Sequence, residues 1–285
     1  MAEKLTGNAV DADGMTEEEF LAAYDITRYP QPSVTVDNVI FTVYDNDLRV
    51  LLVKRGGHPF LGKWALPGGF MAIDEDTDEA VRREVEEETG ISIGGEDPVG
   101  FFEQLRTFSK VGRDPRGRIM SVAHMTLLPA WRIAGTQAGD DASDAAWFSV
   151  NADGDMVTLT QAIDDNGADW VEPETMTIRR GEAGALAFDH DMIFLCALDR
   201  LMAKIDYSCL AFSLLANPSG FTITELRHVY EAVLGRRHDA GNFQRTFKRT
   251  FLSTGIVCED GFTRTEGRPA TKYAFVGDRY DRIVK

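Results

Sequence analysis

Residues 68–91, GGFMAIDEDTDEAVRREVEEETGI, hold nine carboxylates in 24 positions and close on Gly90. On a solvated helix, like charges one turn apart cost only about 0.2–0.5 kcal/mol per pair, so crowding alone demands no special explanation. The spacing does. At about 100° per residue, Glu87 and Glu88 fall roughly −60° and +40° from Glu84. Three carboxylates thus share one arc, with Val81 and Val85 beside it. Unpaired carboxylates against an apolar seam protonate or repel one another. A hard divalent cation such as Mg²⁺ or Mn²⁺ resolves the conflict, because it takes oxygen ligands and keeps room for substrate phosphates.

The rest of the chain limits what this helix can serve. Its 285 residues suit two domains, and no apolar run approaches the ~20 residues of a membrane span. The start, MAEKLTG, lacks a signal-peptide core, and Cys196, Cys209 and Cys258 show no metal-ligand spacing. A cytoplasmic protein without a disulfide framework is expected. The net charge of −16 is uneven: residues 190–285 carry 14 Lys+Arg against 11 Asp+Glu, or +3, which leaves −19 for residues 1–189. Only the C-terminal part suits nucleic acid electrostatically.

Thr16 with Glu19 forms a capping box ahead of a short helix. VTVDNVIFTVY and LRVLLVKR read as strands joined by a turn at Asp45-Asn46-Asp47. VGFFEQLRTFSK and GRIMSVAHMTLLPAW form a second pair, and AAWFSV a last short strand. One helix among strands suggests an α+β sandwich rather than regular βαβ winding. The expected divisions are a segment over 1–32, a first domain over 33–150, a linker or inserted hairpin over 151–188, and a second domain over 189–285. In that second domain, DMIFLCALDRLMAKI, TITELRHVYEAVLG (with a Thr222/Glu225 box and a closing Gly235) and a helix carrying Phe243, Phe247 and Phe251 precede an alternating ribbon. That order is a winged helix-turn-helix. Asn242, Arg245, Lys248 and Arg249 lie on its third helix away from the Phe stripe, and Arg264, Arg268 and Lys272 on the wing.

The pattern Gly69-x5-Glu75-x7-Arg83-Glu84-Val85-x-Glu87-Glu88-x-Gly90-Ile91 resembles the Nudix box of MutT-like hydrolases at every fixed position. With ordinary residue frequencies, a chance match is below about 10⁻⁹ per start site. The resemblance implies an α/β/α sandwich around a mixed sheet and hydrolysis of a nucleoside diphosphate derivative. It also implies Mg²⁺ or Mn²⁺ held by Glu84, Glu87 and Glu88, with Glu75 as accessory ligand or brace. Arg83 would orient the glutamates, and Gly68 and Gly69 would shape the presenting loop. Glu103, in FFEQ, is a candidate general base or further ligand.

Around that box, Arg106, Lys110, Arg113, Arg116 and Arg118 make the most basic stretch of an acidic domain, either a solvated hairpin tip or a phosphate-gripping loop. Trp64 reads as core or a loop anchor more simply than as a base-stacking platform, His124 as a buried, hydrogen-bonded histidine, and Asp189-His190 as a helix cap.

The box followed by ALAFDHDMI, TELRHVYEAVLG, NFQRTFKR and GRPATKYAF resembles the Nudix-related transcriptional regulators of NAD metabolism. That resemblance implies a dimer whose Nudix domain senses ADP-ribose or a relative and whose winged helix binds duplex DNA. Many such regulators carry a degraded box, whereas this one is intact, so retained hydrolysis is expected and pure sensing is put in doubt. Three readings stand: a regulator with a competent Nudix site, a plain hydrolase whose C-terminal module only dimerises or covers the site, and a sensor without turnover.

Overall fold

The computed structural model describes residues 9–93, 100–133, 142–162, 172–263 and 269–278. A hairpin starts the sheet: β1 (Ser33–Tyr44) and β2 (Asp47–Arg55) meet through Asp45 and Asn46, whose φ of 52° and 61° are the left-handed values a two-residue primed turn requires. The short strands β3 (Trp64–Ala65) and β4 (Gly68–Phe70) pair with β2 and β1, β4 placing Gly68 opposite Asp37. β5 (Phe101–Phe108) and β6 (Ile119–Leu128) are antiparallel, but β6 runs parallel to β1, so the sheet is mixed as expected.

The sheet is longer than the sequence suggests. The last short strand is β7 (Ala142–Asp153), and β8 (Met156–Gln161) and β9 (Thr175–Arg179) extend it as a meander in the order β5-β6-β1-β2-β7-β8-β9. Of the two readings for 151–188, a linker or an inserted hairpin, the described residues match the second, with β8 and β9 antiparallel at the sheet edge. Its polar composition hides the strands, because an edge that faces water on one side buries only alternate residues such as Val157, Leu159 and Ile178.

Helices cover both faces. α1 (Glu17–Ala23), opened by the expected Thr16/Glu19 box, buries none of its residues. α2 (Thr77–Thr89) presses Ala80, Val81 and Val85 onto Val36, Ile40 and Leu51 of one face. α3 (His190–Lys204) lies against β1, β5 and β6 on the other, with Phe194 tilted on Phe41 at 6.1 Å. Although α3 begins the segment read as the second domain, it completes the α/β/α sandwich.

The chain then passes through a 3₁₀ segment, Cys209–Leu214, into α4 (Ile223–Leu234), α5 (Ala240–Phe247) with a π-helical turn over Lys248–Leu252, and the ribbon β10 (Val257–Thr263) and β11 (Ala270–Phe275). Thr222 and Glu225 cap α4, and Gly235 ends it at φ 62°. Phe212 meets Phe221, Phe251 and Phe275, while Phe247 stacks edge-on against Tyr273. One continuous apolar cluster runs from Phe41 and Met125 in the sheet, through Phe194 and Phe212, to Leu226 and Phe247. The two modules share a core, so calorimetry should record a single melting transition. Phe212→Ala should shift all of that transition, at a cost of about 3–5 kcal/mol. Two separable transitions would mean that each module folds on its own.

Candidate active site and DNA-binding face

The strand end before α2 requires glycine at position 68 and leaves room for the Glu84 carboxylate at position 69. Gly68 has φ +153°, and a Cβ there would stand 2.1 Å from the Val36 carbonyl oxygen. A Cβ on Gly69 would stand 2.4 Å from Glu84 Oε2. With neither present, the strand end lies flat against the helix, and the Gly68 N–H donates to Glu88 Oε2 at 2.9 Å. Asp76 and Glu79 cap α2 reciprocally, and Gly90 closes it at φ 70°.

Arg83 gathers the acids. It donates to Glu75 through Nε (3.0 Å) and Nη2 (2.6 Å), and through Nη1 to Glu84 (2.9 Å) and Glu87 (3.1 Å). It also holds the Phe70 carbonyl at 3.1 Å. Glu75, bonded to Arg83 and to the Ala72 N–H, is held down to a pKa of about 2. The helix-wheel expectation is met only in part. Glu84 and Glu88 line a cleft of about 700 Å³, while Glu87 turns to Arg83 with its side chain 59% exposed, and Glu75 is a brace outside the lining. Burial raises Glu84, and pushes Glu88 up to about 8.

The remaining site candidates separate. Glu103 lies outside the cleft lining, where Arg200 (3.3 Å) and Lys204 (2.5 Å) clamp it to α3, so it is neither base nor ligand in this arrangement. Sequence could not show this, because its partners lie about a hundred residues away. Arg106 packs on Phe108 and Arg118 donates to the Ser109 carbonyl, both away from the cleft. Arg113 and Arg116 do line it. Arg113 is buried and paired with Asp189, donating through Nε and Nη2 at 2.6, 2.9 and 3.1 Å, with Asp37 at 3.7 Å. Arg116 pairs with buried Asp114.

Asp189 stands at the N-cap of α3 but makes no capping bond, its carboxylate being taken by Arg113. Asp191 secures that helix entrance instead, accepting from the N–H groups of Gly184, Ala185 and Leu186. His190 is part of the cleft wall. Its Nδ1 accepts from the Leu66 N–H at 2.9 Å, which places the ring proton on Nε2, 3.3 Å from Asp37. Burial lowers its pKa and keeps it neutral. Asp37, also bonded to Ser121, is a site residue that sequence reasoning missed; its signal is the single acid of a largely buried strand. Trp64 is buried against Phe148 and donates to Glu174 at 2.7 Å, as a loop anchor. His124 is buried, stacked on Phe102, with Nε2 3.4 Å from Asp78.

Among the described residues, no three His, Cys, Asp or Glu side chains form a ready cage for a metal. The donor set still fits a hard cation. Glu84 and Glu88 bring oxygens whose raised pKa values mark negative charge held at a cost, and Mg²⁺ binds through one or two carboxylates completed by water and phosphate.

On the winged module, α5 and its extension bury Phe243, Phe247 and Phe251 while Asn242, Arg245, Lys248 and Arg249 stay exposed. Asn242 and Arg245 bond to each other. Lys272 is half-buried on β11, and Arg264 and Arg268 lie outside the described residues.

Two family models match the chain, the NUDIX domain over residues 34–171 and the NrtR DNA-binding winged helix domain over 211–275. The ADPR responsive transcriptional repressor NtrR of Acinetobacter baylyi is 32% identical over 269 residues, 93% of this chain and 91% of that one. The chain belongs to this Nudix–winged-helix regulator family. A MutT/nudix family protein from Enterococcus faecalis superposes with a TM-score of 0.71 at 31% identity, covering 92% of this chain and 94% of its own. NrtR of Shewanella oneidensis, solved with a 27mer DNA, gives 0.61 at 29% identity, covering 88% and 99%. For a member of this family, an intact box facing the cleft carries a testable electrostatic consequence. Between about 4.5 and 8 the folded chain keeps a proton on Glu88 that the unfolded chain has shed, so this group's contribution to stability falls as pH rises. A divalent cation must displace that proton. Mg²⁺ should therefore raise the melting temperature little at pH 6 and clearly more at pH 8.5. A rise independent of pH would place the cation away from Glu88.

Proposed function

We propose that this chain is a metabolite-responsive DNA-binding regulator of NAD metabolism, whose cleft binds ADP-ribose or a related nucleoside diphosphate derivative and hydrolyses it with Mg²⁺ or Mn²⁺. The observation that carries the reading is a complete box on a glycine-shaped cleft whose wall, α3, belongs to the same core as the winged helix. The family relatives support the ligand and DNA assignments.

Glu84 and Glu88 would hold the cation, joined by Glu87 if Arg83 releases it. Bound there, it would neutralise the diphosphate and acidify an attacking water. The chain's own residues supply the frame. Gly68 and Gly69 let the diphosphate approach the backbone, Arg83 sets the glutamate rotamers, and Arg55 and Arg116 bring positive charge to the cleft. Asp37 is fixed by His190 and Ser121 at its floor. In the winged module, the exposed face of α5 enters the major groove, and a dimer would mirror a roughly palindromic site.

With ADP-ribose and Mg²⁺, the wild type should release AMP and ribose 5-phosphate. Glu84→Gln or Glu88→Gln should cost ~10²-fold or more in turnover, the scale of losing one strong transition-state stabiliser. If neither Mg²⁺ nor Mn²⁺ supports turnover but ADP-ribose still binds, the chain is a sensor without catalysis.

Selection from random duplexes tests the second half. Where Arg245 or Arg249 reads a base edge, its replacement by Ala should relax specificity at one position and cost about 1–3 kcal/mol. A dimer that enriches no sequence would return the protein to the plain-hydrolase reading.

A further inference from the structure

Carboxylates and arginines account for the diphosphate end of the cleft, but none of them recognises a nucleoside. Phe70 ends β4 one residue beyond Gly69, the residue that packs against the Glu84 carboxylate. Its ring lines the cleft yet is 44% exposed. The Arg116 guanidinium lies 4.9 Å from the centre of that ring and 5.4 Å from the ring of Phe188, which also lines the cleft. Phe188 is held at φ 53°, a value bulky residues rarely adopt and one that persists only where the surroundings impose it, often at ligand sites. Phe60 meets it edge-on at 4.8 Å, and Arg55 lies 4.9 Å from its centre. Arg116 in turn is held flat by Asp114 at 2.7 and 3.1 Å.

The geometry points to Phe70 and Phe188 as two walls of a nucleobase slot, whose place the flat guanidinium of Arg116 holds. A guanidinium and a nucleobase are both planar and both stack on aromatic faces, so one can take the other's position. Phe70 adjoins the glycine loop, so a base stacked on it leaves its diphosphate at the carboxylates. The assignment rests on the ADP-ribose reading and adds the part of the ligand that Phe70 and Phe188 read.

Calorimetric titration of the full chain with Mg²⁺ tests it, using a methylene-bridged ADP-ribose analogue that cannot be cleaved and inorganic pyrophosphate as a base-free probe. Phe70→Leu keeps the apolar bulk and removes the π face. It should weaken the analogue roughly ten- to hundredfold, the range of one base–aromatic stack removed, and leave pyrophosphate within about twofold. Phe70→Tyr, which restores the π face, should bind the analogue nearly as the wild type does. Equal weakening of both ligands, or no change in either, overturns the slot. A wild type that takes pyrophosphate but not the analogue removes the ADP-ribose reading and the slot together. A wild type that binds the analogue while Phe70→Leu matches it removes the slot alone.

Discussion

Holding carboxylates at the edge of an apolar seam is the constraint that shapes this molecule. Glu84 and Glu88 must leave water to face the cleft, and both sit above their ordinary pKa as a result. Arg83 makes the arrangement tolerable by bonding Glu75, Glu84 and Glu87 at once and tying them to the Phe70 carbonyl. Removing that one guanidinium would leave three acids facing one another without a cation, a costlier change than losing any single bond. The glycine loop answers the same requirement from the other side, since any Cβ at position 69 would occupy the space of the Glu84 carboxylate.

A second buried charge network joins the cleft to the start of α3. Asp37 on β1 meets His190 and Arg113, Arg113 meets Asp189, and both His190 and Asp189 stand at the entrance of α3. The other end of α3 is clamped by Glu103 through Arg200 and Lys204, and Arg180 grips Asp199 at 2.6 and 2.8 Å. This helix is thus held by ion pairs at both ends, and its apolar side shares a core with the winged helix. A tether of that kind leaves little room for independent swinging of the two modules within one protomer.

The local features are readable in the sequence because their physics is local. The box glutamates are three and four residues apart, the caps at Thr16 and Thr222 need only their own first turn, and the Phe stripe of α5 repeats every four residues. What sequence could not show depends on distant pairs. Glu103 is offered as a base because the box leaves that role open and Glu103 is the one acid of its strand. The same description fits Asp37, and only the fold reveals that one faces α3 and the other the cleft. Likewise Arg106, Arg113, Arg116 and Arg118 form one basic run in the sequence, yet a hairpin distributes them in different directions. Arg113 ends among Asp189 and Asp37, so its charge is committed to holding α3 rather than offered to a phosphate.

That last placement has a thermodynamic consequence for the proposed regulator. A ligand changes DNA affinity only through free energy that differs between two arrangements of the protein, and the coupling is reciprocal. With the modules sharing one core, a large hinge within a protomer would have to break apolar packing such as that of Phe41 on Phe194. A less costly route is a small shift of α3 driven at its cleft end, where Asp189 and His190 already exchange bonds with the loops that frame the carboxylates. In a two-fold dimer, a small rotation of each winged helix changes the spacing of both recognition helices. Operator half-sites one helical turn apart are sensitive to just that spacing. In such a regulator the buried Arg113–Asp189 pair, which lies outside the exposed face of α5, would be one place where the cleft could act on α3.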